Sequence, residues 1–406
     1  MKIPEALAPF RSRNYRLFYS GYAISLTGSW MTQTAIGWLV YALTESTAMS
    51  GVAMFLSQVS HFFVTPVAGV MIDRVNRRRM LLAVQFGALA SAFGLMLFQV
   101  LDGLHVSVLL ALCFLRGLVG AVEIPTRQSL IAKFIDDRRH LPQAIGLNST
   151  LFNFTRIVSP AIAGEVYAMF GAACCFAVDA CLMIPAIFLL AAMRFDARPL
   201  PASGECGPLC SLLEGVRYMF SVPVLRMVIC GIALLSTFGF SYTVLLPMFA
   251  HEVYAGTAGL YGRMLTVTGA GAIVAALLIA FLKRAKYLPR FLVVGNTIVG
   301  VSLAVVASAP PMPLFFAMLF SAGFGSVLVG ASSNTLVQLN IDERFRGRII
   351  SLYTMAFTGT FPFGTLLLGS FNEIVGLGPC LGLCAGVCFA LAAYFFLRRR
   401  AFSSAV

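Results

Sequence analysis

Gly69-Val70-Met71-Ile72-Asp73-Arg74-Val75-Asn76-Arg77-Arg78-Arg79-Met80-Leu81 joins the end of one long apolar run to a hairpin with four arginines in six residues, and then starts a second apolar run. Residues 48–72 and 80–101 on its two sides are each long enough to cross a bilayer as a helix, which takes roughly 20 apolar residues. The arginine hairpin therefore marks a membrane face. Loops rich in Lys and Arg stay in the cytoplasm, so it also predicts which face.

The composition agrees with this reading. Of 406 residues, 59% are hydrophobic and only 11% charged, with 35 Phe and a mean hydropathy of +0.88; soluble domains do not look like this. A formal net charge of +13 would suggest nucleic acid if the basic residues lay on one arm or face. They are instead spread through short loops, and no nucleic-acid partner is expected. The ten cysteines give no disulfide framework, because most lie in apolar runs and Cys206 and Cys210 fall in a segment read as cytoplasmic. Cys380, Cys384 and Cys388 share a helix face and read as small residues for close helix contact rather than as metal ligands. No metal or cofactor is expected. The first apolar run follows Arg11, Arg13 and Arg16, outlasts the apolar core of a signal peptide and lacks a small-residue cleavage site, so it reads as a retained span.

Apolar runs fall at 15–44, 48–72, 80–101, 105–134, 144–170, 174–193, 224–250, 258–282, 291–309, 313–339, 349–375 and 379–397. They predict an all-α membrane protein of twelve transmembrane helices in two pseudo-symmetric six-helix bundles. One bundle is 1–193 and the other 223–406, the latter with a short cytoplasmic tail. The polar interval 194–222, with Pro199, Pro201, Gly204, Gly207 and Pro208, is the cytoplasmic linker. With both termini inside, all but four of the 29 Lys and Arg lie on the cytoplasmic side, the exceptions being Arg116, Arg127, Arg156 and Arg263 within spans. Ile135-Asp136-Asp137-Arg138 recurs 206 residues later as Ile341-Asp342-Glu343-Arg344, which suggests a duplicated half. Duplicated halves are what alternating-access transporters are built from.

With the hairpin and the repeat in view, the chain resembles the major facilitator superfamily over its whole length, and within it the branch of enterobactin-type siderophore exporters and related drug exporters. Gly69, Asp73, Arg74, Arg77, Arg78 and Leu81 are similar to the family's cytoplasmic gate motif between helices two and three, with Asn76 at the usual glycine, a residue that tolerates a left-handed turn. Arg116 followed by Gly117 and Gly120 resembles the arginine motif of helix four, and Ser159-Pro160-Ala161-Ile162-Ala163-Gly164 the helix-five motif of antiporters, with Ser159 in place of Gly. Asn14-Tyr15-Arg16-Leu17-Phe18 and Arg346-Gly347-Arg348-Ile349-Ile350-Ser351-Leu352-Tyr353 are closer to the branch. The resemblance implies a monomeric secondary transporter of small molecules in a bacterial inner membrane, working outward against proton entry.

The residues themselves supply the mechanistic candidates. Arg116, Glu123 and Arg127 are seven and four residues apart and fall within about a 40° window of helix four. An Arg near the bilayer centre costs roughly 2.5–3.5 kcal/mol on insertion scales, so such a group faces a wet cavity or a partner. Arg116 and Glu123 are candidates for a mutual pair, and Glu123 with Arg127 for a structural one. Arg156, one turn before Pro160, and Asp179 in helix six are further candidates for a transport cavity or for proton coupling. Glu165 and Glu373 read equally as rim residues. Phe238, Phe240, Tyr242, Phe324, Tyr353, Phe357, Phe361 and Phe363 in the second half suggest an aromatic wall suited to amphipathic cargo, or filler for lipid-facing surface. Uptake rather than export is the competing reading within transport. A membrane enzyme would need clustered ligands or nucleophiles, whereas His61, His105, His140 and His251 are scattered. A transporter-like sensor would not need a nearly complete gate motif.

Overall fold

Once an apolar chain leaves water, each backbone N–H and C=O must find its partner within the protein, and a helix supplies that partner locally. The computed structural model describes residues 5–101, 103–131, 134–135, 137–193, 208–281 and 287–398, without the side chains of 5–6, 66–74, 77, 129, 138, 208–212, 280–281 and 343. The helices follow the apolar runs within a few residues. They are α1 (Arg13–Thr44), α2 (Thr47–Arg74), α3 (Arg77–Val100), α4 (Val106–Leu130), α5 (Leu141–Ala191), α6 (Pro208–Ser221), α7 (Pro223–Leu234), α8 (Leu246–Met248), α9 (Ala258–Phe281), α10 (Leu288–Val306), α11 (Met312–Leu339), α12 (Arg346–Thr354), α13 (Phe361–Val375) and α14 (Leu377–Leu397). Among the described residues nine helical stretches are long and apolar enough to cross a membrane, with Pro223–Val253 counted as one. α5 is two limbs, because Gly171 (φ 78°, ψ 178°) breaks it.

Two compact units result. The first comprises 1–43, 56–203 and 257–263, and the second 44–55, 204–256 and 264–406, so each takes in a short segment from the other half of the chain. In the first unit, Pro160 and Gly164 of α5 meet the start of α9: a Cβ on Gly164 would sit 2.7 Å from the Ala258 carbonyl oxygen. In the second, the start of α2 meets α13. Thr47 Oγ1 donates to the Gly369 carbonyl (2.9 Å), Asn372 Nδ2 donates to Thr47 Oγ1 (3.2 Å), and Glu373 accepts from Ser46 Oγ (2.5 Å) and the Ala48 amide (3.0 Å). α7 leads into a π-helical turn at Leu235–Phe240, and a second π turn, Met355–Gly359, precedes α13. The two are pinned together: Ser236 Oγ donates to the Phe357 carbonyl (2.6 Å) and Thr360 Oγ1 to the Ala233 carbonyl (3.1 Å).

The units repeat each other's local geometry with an offset of 205 residues. Gly171 has its counterpart in Gly376 (φ 81°, ψ 173°). The Cys175 thiol donates to the Ala163 carbonyl and the Cys380 thiol to the Leu368 carbonyl, both at 3.6 Å. The Arg139 amide donates to Asp137 Oδ1 and the Arg344 amide to Asp342 Oδ1, both at 3.0 Å. The repeat therefore pairs Asp137 with Asp342, one residue away from the 206-residue register that the matching letters suggested. The aspartate that closes the turn sets the register, and sequence identity alone does not reveal which of two adjacent aspartates does so.

One local expectation is corrected. Asn76 is extended (φ −64°, ψ 107°) and caps α3, its Oδ1 accepting from the amides of Arg78 (3.1 Å) and Arg79 (3.2 Å). It is present as an N-cap, where Asn is among the best residues, and not for a left-handed turn. Within the interval 194–222, read as linker, residues 208–221 are helical, whereas 194–207 lie outside the described residues.

Gly171 and Gly376 occupy a backbone region that is essentially glycine's own, where another residue costs about 1–3 kcal/mol. Gly376→Ala should lower the apparent melting temperature in detergent. Gly378→Ala, in a helix with open space at the new Cβ, is the control and should not. Fluorescence-detected thermal unfolding of the two variants checks this.

Candidate functional site

The charged face of α4 points into the interior of the first unit, where it meets α1, α3 and the second limb of α5. Arg116 does not pair with Glu123. Its Nη1 lies 3.0 Å from Asp179 Oδ2, and the Asp179 side chain is 0% exposed. Thr32 Oγ1 of α1 donates to the same oxygen at 2.7 Å. Asp179 Oδ1 is buried with no hydrogen-bond partner among the described residues. Room for this carboxylate comes from Gly28 of α1, since a Cβ there would lie 2.5 Å from Oδ1. One carboxylate thus holds three elements together, and only one of its two oxygens is engaged.

Two turns further along α4, Glu123 forms an ion pair with Arg127. Gln85 Nε2 of α3 donates to Glu123 Oε1 at 3.0 Å, and the Arg127 guanidinium sits 3.9 Å above the ring of Tyr22. A guanidinium over an aromatic face is attracted by the ring's negative quadrupole, more strongly where water is scarce. Tyr22, Gln85 and Arg127 line a small, half-open pocket, together with Ser25, Gly21 and apolar residues of α1, α3 and α5. The helix-four residues named from spacing alone are therefore drawn into two separate clusters, each completed by partners on other helices. Thr32, Gln85 and Tyr22 were not among the residues expected from sequence. Polar Gln85 in the middle of an apolar run was the visible signal for one of them.

The other candidates lie elsewhere. Arg156, on the first limb of α5, is half-buried. Glu165 pairs with Arg263 (2.8 Å), both about half exposed, next to the contact between α5 and α9. Glu373 caps the start of α2, as described. Of the gate motif, Arg78 donates to the Ala191 carbonyl at the end of α5, while the side chains of Gly69, Asp73, Arg74 and Arg77 lie outside the described residues. In the second unit, Phe357 meets Phe240 edge to face (5.6 Å) and stacks with Tyr353 (6.1 Å) beside the π turns.

Comparison with known proteins adds a family context. A family model described as transmembrane secretion effector matches residues 4–405. The chain is 23% identical over 388 residues to the staphyloferrin A transporter of Staphylococcus aureus, covering 95% of this chain and 96% of that one. It is also 23% identical to the multidrug efflux pump Tap of Mycolicibacterium fortuitum (86% and 87% covered) and to macrolide efflux protein A of Streptococcus pyogenes (88% and 89% covered). Among solved structures, a POT family transporter crystallised with 5-aminolevulinic acid superposes with a TM-score of 0.73 at 12% identity, over 95% of this chain and 96% of that one.

A double-mutant cycle tests the Asp179 cluster. Removing one partner of a buried ion pair strands the other and costs about 3–5 kcal/mol, whereas removing both costs less than the sum. Arg116→Gln and Asp179→Asn should each lower thermal stability sharply, and the double variant should recover part of the loss. Additive losses would mean that the two side chains do not depend on one another.

Proposed function

The chain belongs to the transmembrane secretion effector family of major facilitator transporters, and from that premise we propose that it is a proton-coupled secondary exporter of small amphipathic molecules, siderophores or drugs, working by alternating access. It is a multi-pass membrane transporter and not an enzyme. In this reading twelve crossings form two six-helix halves, 1–193 and 223–406, joined by 194–222. The chain is a monomer in the cytoplasmic membrane with both termini inside, and its partners are the lipid bilayer, the cargo and the proton. The 205-residue repeat supports the duplication, and the distribution of Lys and Arg supports the orientation. The relatives named for multidrug and macrolide efflux support outward transport, and the staphyloferrin A transporter supports a siderophore as cargo.

The observation that carries proton coupling is the half-satisfied carboxylate of Asp179. Its Oδ2 accepts from both Thr32 and Arg116, and its buried Oδ1 has no hydrogen-bond partner among the described residues. Burial raises a carboxyl's affinity for a proton and a nearby arginine lowers it. In this reading Asp179 exchanges its partner Arg116 for a proton as the protein changes state. Coupled to a change of state, that exchange lets an inward proton drive outward cargo, with about 2.3 kcal/mol per charge at 100 mV. Glu123, held by Arg127 and Gln85, is a second carboxylate that can relay the proton. Arg156, Pro160 and Gly164 belong to the moving element, and Gly69, Asp73, Arg74, Arg77 and Arg78 to the cytoplasmic gate.

In proteoliposomes loaded with staphyloferrin A or a macrolide, Asp179→Asn should lose transport driven by a pH gradient and retain counterflow at equal pH, since exchange needs no net proton movement. Equal loss of both would take Asp179 out of the coupling step. The orientation has its own test: in a cysteine-free background, Arg79→Cys and Arg344→Cys should resist an impermeant thiol reagent in intact cells and react after permeabilisation. Labelling from outside would reverse the topology.

A further inference from the structure

We propose that α6 (Pro208–Ser221) lies on the membrane surface as a lipid-binding helix, with Leu213 and Phe220 in the acyl boundary and Arg217 reaching acidic phospholipid headgroups. One side of this helix is already occupied within the second unit. Gly215 and Met219 are buried, and the Tyr218 ring stacks on Phe345 at 4.2 Å with an interplanar angle of 8°. Tyr218 Oη accepts from the Asp342 amide at 3.2 Å, and Glu214 forms an ion pair with Arg348. The opposite side carries two large exposed apolar groups, Leu213 at 72% and Phe220 at 51% exposed, with exposed Arg217 between them. Residues 213, 217 and 220 are four and three apart and fall within about a 60° arc. This is one face, two large apolar side chains flanking a long cationic one that can keep its charge in the headgroups while its stem lies along the apolar boundary.

What covers this face follows from where the helix ends. Only Val222 separates Ser221 from Pro223, the first residue of the Pro223–Val253 stretch that is long and apolar enough to span a membrane. At 3.8 Å per residue the end of α6 lies within about 8 Å of the start of that span. The exposed line continues along α7 through Pro223, Arg226, Cys230 and Leu234, so the apolar face of α6 runs on into a surface that meets lipid, and Arg217 and Arg226 bracket the boundary with positive charge. Acidic headgroups attract cationic side chains placed there, and the attraction falls off within a Debye length. The proposal does not depend on cargo, direction or proton coupling.

The test places a reporter on the face. Trp30 and Trp38, the two native tryptophans, are replaced by Phe, and Leu213→Trp and Phe220→Trp are made singly in the full chain. The proteins are reconstituted in vesicles of phosphatidylethanolamine and phosphatidylglycerol carrying acyl chains brominated at the 6,7 or the 11,12 position. Both reporters should emit to the blue of a water-exposed indole and be quenched more by the shallow bromines than by the deep ones. Water-like emission, or shielded emission that bromine does not touch, would overturn the proposal, the latter by showing that protein covers the face. The headgroup arm uses the native tryptophans. Raising phosphatidylglycerol at the expense of phosphatidylcholine should raise the apparent melting temperature, and the double substitution Arg217→Gln and Arg226→Gln should remove at least half of that rise. An unchanged rise would overturn the recognition of acidic lipid.

Discussion

A carboxylate withdrawn from water must be matched by positive charge and hydrogen bonds, and this requirement at Asp179 fixes much of the first unit. The penalty for such a group is several kcal/mol even after relaxation. Asp179 meets it by drawing Arg116 from α4 and Thr32 from α1 onto a single oxygen, with Gly28 leaving the space. The relative rotation of α1, α4 and the second limb of α5 is thereby set by one side chain. The same demand explains why α4 can carry three charged residues among apolar ones: each finds a partner inside the unit, Arg116 on α5, Glu123 on α3 and along α4, and Arg127 over the Tyr22 ring.

The 205-residue repeat keeps the backbone geometry and changes the chemistry. Gly171 and Gly376 share one unusual conformation, and Cys175 and Cys380 make the same bond to a carbonyl. Yet the position 205 residues beyond Asp179 is Cys384, fully buried and uncharged. The buried ionic cluster is thus a feature of the first unit, whereas the second has the paired π turns and the aromatic contacts of Phe240, Tyr353 and Phe357. A repeat that preserves helix joints while dividing polar and aromatic roles is consistent with two units that share a scaffold and perform different tasks.

Much of the helical architecture was legible because the bilayer imposes a length, a polarity and a charge asymmetry that any sequence must show. The run at 105–134 reads as a span, and α4 is found at Val106–Leu130. The spacing of Arg116, Glu123 and Arg127 correctly placed them on one face, but spacing along a helix contains no information about the neighbouring helix that faces it. Asp179 could be named and its pairing with Arg116 could not. Asn76 was visible as a turn residue, yet its cap geometry depends on the dihedral angle that the following helix selects. The helix α6 was hidden for a different reason: the Pro- and Gly-rich stretch before it makes the whole interval read as polar linker, and its fixed face is defined by Phe345, Arg348 and Asp342, more than 120 residues away.

The two π turns tie winding in one helix to winding in another. Releasing the extra residue of either turn into ordinary α-helix would rotate everything beyond it by about 100° and advance it by about 1.5 Å. Ser236 would then no longer face the Phe357 carbonyl, nor Thr360 that of Ala233, and the fully buried Ser236 hydroxyl would lose its acceptor across the contact. The stretch that follows α7 and the stretch that leads into α13 are in this sense geared: neither can slip a tooth unless the other slips with it.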